Sequence, residues 1–424
     1  MRSVKLAEVC SFTRGLTYGK SDEVDFSSNI VLRANNIDLT TNSINLNDLR
    51  YIKESIRIKP EKLVKKNSLI ICTASGSKSH VGKVALIDKE YGYAFGGFMG
   101  QLTPSEDCFP KYLYYVLTSG LFKDFLMSLN DGTNINNLKF SDIENYQFPL
   151  PTIEKQRKVV ETLDDAFSEI DLIDRNLGSS DEKANQLVQS LLYSAFSLGE
   201  VNIESSDSAT DQGLSAKDRI PMVRLGDLCN TISGLWTGKK PPFEKATVIR
   251  NTNFTKDCNL DLSNVAVLDV ETKQLKSRTL LSGDLIIEKS GGGPKQAVGR
   301  VVHFNETSGT YSLSNFTSAL RVKDLREVLP MYLRHFLYFQ YISGETENMQ
   351  SHSTGIRNLN MHQFLDVRVP LPSLEKQRET VEMLDRVFAE IQSLKANVNL
   401  EKNSTAALRQ SLLSIAFSQE KVVA

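Results

Sequence analysis

Several groups of basic, amide and aromatic residues occur twice in the chain, at matching places in its two halves, and their chemistry suits a polyanion. The run Thr73-Ala74-Ser75-Gly76-Ser77-Lys78-Ser79-His80, with Lys83 after it, answers to Lys289-Ser290-Gly291-Gly292-Gly293-Pro294-Lys295-Gln296, with Arg300 after it. Backbone N–H groups and lysines on such loops can hold phosphates, while Lys78, His80, Lys295 or Gln296 can reach base edges. Arg33, Asn35 and Asn36 answer to Arg250, Asn251 and Asn253; arginine reads guanine and asparagine reads adenine in bidentate fashion. Tyr18 with Lys20 answers to Trp236 with Lys239 and Lys240, an aromatic beside a cation on a glycine turn. Arg357 closes a last pair, Ser353-Thr354-Gly355-Ile356-Arg357 against Asp131-Gly132-Thr133-Asn134-Ile135. Each set also fits a plainer role: a solvated hairpin, strand-end hydrogen bonding, hydrophobic cover, or a helix-capping turn.

Catalytic constellations are missing by the same test of type and spacing. An adenine methyltransferase needs a glycine-rich S-adenosylmethionine loop and a D/N-P-P-Y/F motif. Lys240-Pro241-Pro242-Phe243 places a cation where the acceptor belongs, and Phe95-Gly96-Gly97-Phe98-Met99-Gly100 opens no strand-to-helix nucleotide unit. In Ser290-Gly291-Gly292-Gly293-Pro294-Lys295 the lysine comes too early for a phosphate loop. Five scattered histidines and five cysteines without a C-x-x-C pair suggest neither a metal nor a disulfide framework. The chain reads as a non-enzyme.

The elements that must position these residues are themselves duplicated. FPLPTIEKQRKVVETLDDAFSEI, residues 148–170, returns as VPLPSLEKQRETVEMLDRVFAEI, residues 369–391. Over residues 149–197 against 370–418, roughly half the positions are identical without a gap, which marks a duplicated unit. Residues 4–10 likewise return in residues 223–229. The division is a globular region at 1–147, a helix at 148–198, a Ser- and Asp-rich linker at 199–218, a second globular region at 219–368 and a second helix at 369–420. Apolar strands near 30–34, 68–73 and 82–88, repeated near 247–254, 284–288 and 298–304, with helices at 110–129 and 330–342, make each globular region a mixed α+β fold.

Both helices carry apolar residues at heptad spacing: Val160, Leu163, Phe167, Ile170 and Leu177 in the first, Leu374, Val381 and Phe388 alternating with Leu384, Ile391 and Val398 in the second. At 1.5 Å per residue a helix of about 45 residues is about 68 Å long, too long to bury its stripe on one small domain. The two helices are therefore expected to pair antiparallel as spacers, related by a pseudo-twofold axis. Thr152 and Ser373 are N-caps, and Gln156 and Gln377 lie near the capping-box position. Gly178 is a place where the first helix could break. Gln156, Arg157, Gln377 and Arg378 are candidate contacts for a docked subunit. Lys+Arg against Asp+Glu stand at 18 to 16 in residues 1–147, 19 to 14 in residues 219–368 and 6 to 14 in residues 148–218, so a polyanion should meet the globular regions. No apolar run approaches the roughly 20 residues that cross a bilayer, and a cytoplasmic location is expected.

A diverged globular region, an N-L-x-x-x-x-[IF] element (Asn137, Leu138 and Ile143; Asn358, Leu359 and Phe364), a PLP-x-x-EKQR run and a long helix, all repeated, resemble the specificity subunit of a type I restriction-modification system. The resemblance covers essentially the whole chain. It implies two target-recognition domains, each reading one half of a split double-stranded DNA sequence, with helices that set the spacer and dock two modification (methyltransferase) subunits. It further implies that the chain directs N6-adenine methylation and restriction without catalysing either. It would bind no cofactor itself, with S-adenosylmethionine on the modification subunits and ATP and Mg on the restriction subunits. A coiled-coil tether and a degenerate DNA adenine methyltransferase remain as alternatives at this stage.

Overall fold

The structure, a computed structural model, describes residues 2–76, 80–129, 137–197, 220–236, 240–293, 296–353 and 356–418. Residues 199–218, the expected linker, lie outside them. The chain forms two compact units, Met1–Gly178 with Asn399–Ala424, and Ser179–Val398. The unit boundaries fall inside the long helices, at residues 178 and 398. Each unit therefore owns a globular region, the start of the helix that follows it and the end of the other helix.

In the first unit Cys10–Arg14, Met99–Pro104, Leu69–Cys72 and Val84–Leu86 form an antiparallel sheet in that spatial order. A second sheet orders Glu23–Val24, Arg50–Ile52, Asn29–Leu32 and Ala94–Phe95, the last two parallel. The second unit repeats both: Cys229–Ser233, Thr317–Val322, Leu285–Glu288 and Val301–His303 in one sheet, and Ala266–Glu271, Phe243–Ile249 and Tyr311–Leu313 in the other. Leu69–Cys72 and Leu285–Glu288 are buried along their whole length, which explains why residues 69–72 and 285–287 are apolar runs without alternation.

Leu285–Glu288 ends on a carboxylate inside the core, and Arg300 answers it. Arg300 Nε donates to Glu288 Oε2 at 2.8 Å and Nη2 to Oε1 at 2.9 Å, while Nη1 donates to the Phe254 carbonyl at 2.9 Å. Both side chains are buried. The expectation that Arg300 belongs to a DNA-contacting loop is thereby corrected: it is an internal counter-ion, because a buried carboxylate must be paired.

The helix expected over 110–129 is two, Pro110–Thr118 and Gly120–Ser128, because Ser119 is extended and its hydroxyl donates back to the Val116 carbonyl. Its counterpart Pro330–Ile342 is a single helix. The long helices run over Ile153–Phe196 and Leu374–Ser418, and Gly178 does not break the first. In the first unit Asp174 meets Thr405 at 2.7 Å and Asp171 meets Arg409, so these segments run antiparallel. Leu163, Ile170 and Leu177 are buried there at heptad spacing, as are Leu384, Ile391 and Val398 in the second unit. The helix ends close the cores: Phe417 meets Tyr112 edge-on at 5.4 Å, and Phe196 meets Tyr332 and Phe336 edge-on at 5.5 and 5.6 Å. Among the described residues no helix is long and apolar enough to cross a membrane.

Gln156 and Gln377 lock each long helix to its own globular region. Both are wholly buried. Gln156 accepts from Phe109 N–H at 2.7 Å and donates to the carbonyls of Asp107 and Pro151, each at 2.8 Å. Gln377 accepts from Leu329 N–H and donates to the carbonyls of Glu327 and Pro372, all at 2.9 Å. Their expected role as docking contacts is corrected, since neither reaches the surface. Arg157 and Arg378, the next residues, are exposed.

Two stability outcomes follow from these buried groups. Gln156→Leu leaves a backbone N–H and two carbonyls buried and unmet, at about 1–3 kcal/mol each, and should lower unfolding stability by several kcal/mol in denaturant titration, whereas Lys155→Ala stays within about 0.5 kcal/mol. Similar losses for both would contradict the clamp. Arg300→Met should cost about 3–5 kcal/mol by stranding Glu288, and adding Glu288→Gln should recover much of it; a double variant no more stable than the single would refute the pairing.

Candidate nucleic-acid interface

In both units one backbone motif shapes the loop that follows the central strand. Thr73 and Ala74 donate their N–H groups to the Phe98 carbonyl at 2.9 and 3.2 Å; Lys289 and Ser290 do the same to the Phe316 carbonyl at 2.9 and 3.2 Å. On the other side Leu138 N–H donates to the Thr73 carbonyl at 2.7 Å and Leu359 N–H to the Lys289 carbonyl at 2.8 Å. The loop is stapled between a turn and the N-L element, so the flexible-looking sequence has a fixed base.

The other paired sets converge on the same strand ends. A Cβ on Gly15 would fall 2.0 Å from the Gly96 carbonyl oxygen and one on Gly234 1.8 Å from that of Ser314, so only glycine lets the chain pass beside the turn. That contact brings Leu16 to Tyr18, and Leu235 with Trp236, to the turn. Gly96 N–H bonds to the Leu32 carbonyl and Ser314 N–H to that of Ile249, which places Arg33 and Arg250 next in line. In the second unit Gly291 pairs with Arg357, and Asn251 Nδ2 lies 3.5 Å from the Ser290 carbonyl. Ser290–Gly291 is itself a strand, joined to Ile356–Leu359 and Gln350–Ser353. The segment carrying Arg357 is thus half of a hairpin, where a helix-capping turn was expected.

Not all of the candidates can face a ligand. Asn36 and Asn253 are buried in short helical turns, accepting from the backbone N–H of Arg33 at 2.8 Å and of Arg250 at 3.0 Å. Their amide nitrogens donate to the carbonyls of Asn45 and Asp48, and of Asp261 and Asn264. Expected as base readers, both are corrected to structural residues, because a buried amide with all its bonds inside the fold has none to offer. Arg33 is held by the Asp48 carboxylate at 2.8 Å, Arg250 by the Asn264 carbonyl at 3.1 Å, and Lys83 by the Leu39 carbonyl at 3.0 Å. Burial lowers the Lys83 pKa and raises that of Tyr18. Lys20, Asn35, Lys240 and Gln296 are exposed, and His80, Asn251, Lys289 and Arg357 are partly so. Lys289 carries a pKa lowered by burial alone. Lys78, Ser79, Lys239 and Lys295 lie outside the described residues.

Two aromatics were overlooked in the sequence. Phe98 is 72% exposed and Phe316 43%, each on the turn whose carbonyl shapes the loop, and Trp236 nearby is 70% exposed. The signal was available: Phe95-Gly96-Gly97-Phe98 and Leu313-Ser314-Asn315-Phe316 keep a phenylalanine at the same place while the intervening residues differ. Large exposed aromatics beside cations and amides suit base stacking or contact with thymine methyl groups.

Comparison with known proteins agrees with this architecture over the whole chain. Residues 1–177 and 218–402 match the family model described as "Type I restriction modification DNA specificity domain". The specificity subunit of type I restriction enzyme StySPI from Salmonella potsdam is 26% identical over 427 residues, covering 98% of this chain and 88% of that one. The EcoKI specificity subunit from Escherichia coli is 24% identical over 423 residues, with the same coverage. A solved chain, from work on complex assembly and conformational transition of the type I R-M system, aligns with a TM-score of 0.70 at 19% identity over 98% of this chain and 97% of its own, a likeness of fold. The chain belongs to the type I restriction-modification DNA specificity family, and its role is that of a sequence-specificity subunit.

Proposed function

We propose that each globular region, 1–147 and 219–368, reads one half of a bipartite double-stranded DNA target. The observation that carries this reading is the stapled loop built twice on one frame, with exposed aromatics at equivalent turns and different residues filling the rest. Phosphates meet Lys20, Lys240 and the loop lysines, and base edges meet Asn35, Asn251, Gln296, Arg357 and the rings of Phe98 and Phe316. Phosphate contacts set register, while the divergent loop residues carry sequence. The chain performs no catalysis and binds no cofactor in this reading. It works in the cytoplasm, where two modification subunits bring S-adenosylmethionine and restriction subunits bring ATP and Mg.

The docking faces lie on the exposed parts of the repeated EKQR turns. Glu154, Lys155 and Arg157 recur as Glu375, Lys376 and Arg378, all exposed. Arg157 lies over the Phe109 ring at 4.4 Å, but among the described residues the shared identity of these exposed side chains has no counterpart in shared internal contacts, so a partner that sees both turns alike accounts for it.

Half-site reading has a separable signature. In the complex with its modification subunits, Phe98→Ala should weaken binding by about 10- to 100-fold at one half-site only, and Phe316→Ala at the other, without changing the salt dependence, since no phosphate contact is lost. Lys289→Gln should instead lower the salt slope by about one. If either phenylalanine variant affected both half-sites equally, the assignment of one region to one half would fail. Separately, Arg157→Glu with Arg378→Glu should impair co-purification of the modification subunits while leaving the unfolding transition of the chain alone nearly unchanged; undiminished assembly would move the docking face elsewhere.

A further inference from the structure

The duplication supplies an internal comparison around Asp164 and its counterpart 221 residues on, Asp385. In the first unit Asp164 accepts from the Tyr115 hydroxyl and pairs with Lys111 at 2.7 Å. Arg409 lies over the Phe167 ring at 5.2 Å and pairs with Asp171 and Asp174, filling the space beside the ring. The second unit holds other residues at the equivalent positions: His335 for Tyr115, Met331 for Lys111, Val188 for Arg409, Gln392 for Asp171 and Lys395 for Asp174. Asp385 still meets its partner, His335 Nε2, at 2.8 Å, and Phe388 still packs edge-on against that partner at 5.3 Å. Valine cannot reach where arginine reaches, and a cavity of about 400 Å³ opens.

The formal charges lining this cavity cancel, Arg334 and Lys395 against Asp257 and Asp385, but neither carboxylate contacts the buried arginine directly. Its two lining acids are engaged, Asp385 by His335 and Asp257 by Lys395 at 3.2 Å. Arg334, which also lines it, is buried and bonded to neutral groups: Nη1 to His335 Nδ1 at 3.2 Å, Nη2 to the Cys258 carbonyl at 2.9 Å and to Asn259 Oδ1 at 3.2 Å. Among the described residues no carboxylate pairs with it. Burial lowers the pKa of Arg334 and of the lining His303, whose imidazole is therefore neutral at pH 7. Burial lowers the pKa of His335 too, so Asp385 reaches Arg334 only through a neutral imidazole, and the guanidinium would gain from an anion in direct contact. The volume lies within the range of small-molecule sites, about 300–1,000 Å³, and Tyr338, Phe388 and Val188 give it apolar walls.

We propose that this cavity in the second unit binds a small organic oxyanion, a carboxylate or phosphate on an apolar body, with the oxyanion against Arg334 and the body between Tyr338, Phe388 and Val188. The first unit has no such site because Arg409 and its two aspartates occupy the same space.

Calorimetric titration of the full chain with phenyl phosphate, benzoate and neutral benzyl alcohol tests this. One saturable site for at least one oxyanion is expected, with none for the alcohol, and the tighter probe identifies the headgroup. Val188→Arg with Gln392→Asp copies the Arg409–Asp171 pair into the second unit and should weaken binding at least tenfold, as should Arg334→Gln, an uncharged side chain that still offers an amide; circular dichroism confirms folding. The proposal is overturned if neither oxyanion saturates the chain by about 10 mM, or if a folded variant of either kind binds as the parent does.

Discussion

A side-chain amide sealed from water must find all its hydrogen bonds inside the protein, and the rest of each unit is arranged around that requirement at Gln156 and Gln377. Each glutamine joins three backbone groups from two places, the Pro-rich entry to the long helix and the loop ahead of the helix beginning at Pro110 or Pro330. With the first turn fixed this way, the azimuth of the helix is set. Leu163 and Ile170, or Leu384 and Ile391, then face inward at heptad spacing. The same constraint divides the repeated EKQR run by role: the glutamine is internal, while the glutamate, lysine and arginine around it remain on the surface.

How much of this was legible in the sequence depended on how local each signal is. The duplication, the helices with their heptad stripes and the buried strands at 69–72 and 285–288 are visible because periodicity and composition act over a few neighbouring residues. The destination of a single polar side chain is settled by contacts far along the chain. Asn36 reaches Asp48 and Arg300 reaches Glu288, and nothing within their own segments announces it. Matching pairs of polar residues suggested a shared ligand, yet Arg33 with Asn36 and Arg250 with Asn253 match because both build the same internal turn. Similarity between the copies is thus better evidence for shared architecture than for reading. Phe98 and Phe316 are the informative exception, since an exposed ring contributes little to the fold that would preserve it.

Unequal divergence along the chain has a physical cause in the composition of the two units. Each long helix serves both: Val160 and Leu163 belong to the core of the first unit, while Leu192 and Phe196 of the same helix belong to the core of the second, and the second helix does the converse with Leu384 and Leu413. A substitution along such a helix must satisfy a seam with the other helix as well as a globular core. A substitution at an exposed loop position such as Lys20, Asn35 or Gln296 has fewer internal contacts to satisfy. The frame therefore holds its residues while the loops are free to differ. A specificity subunit needs that separation, because changing what a region reads must leave undisturbed the helices that hold it in place.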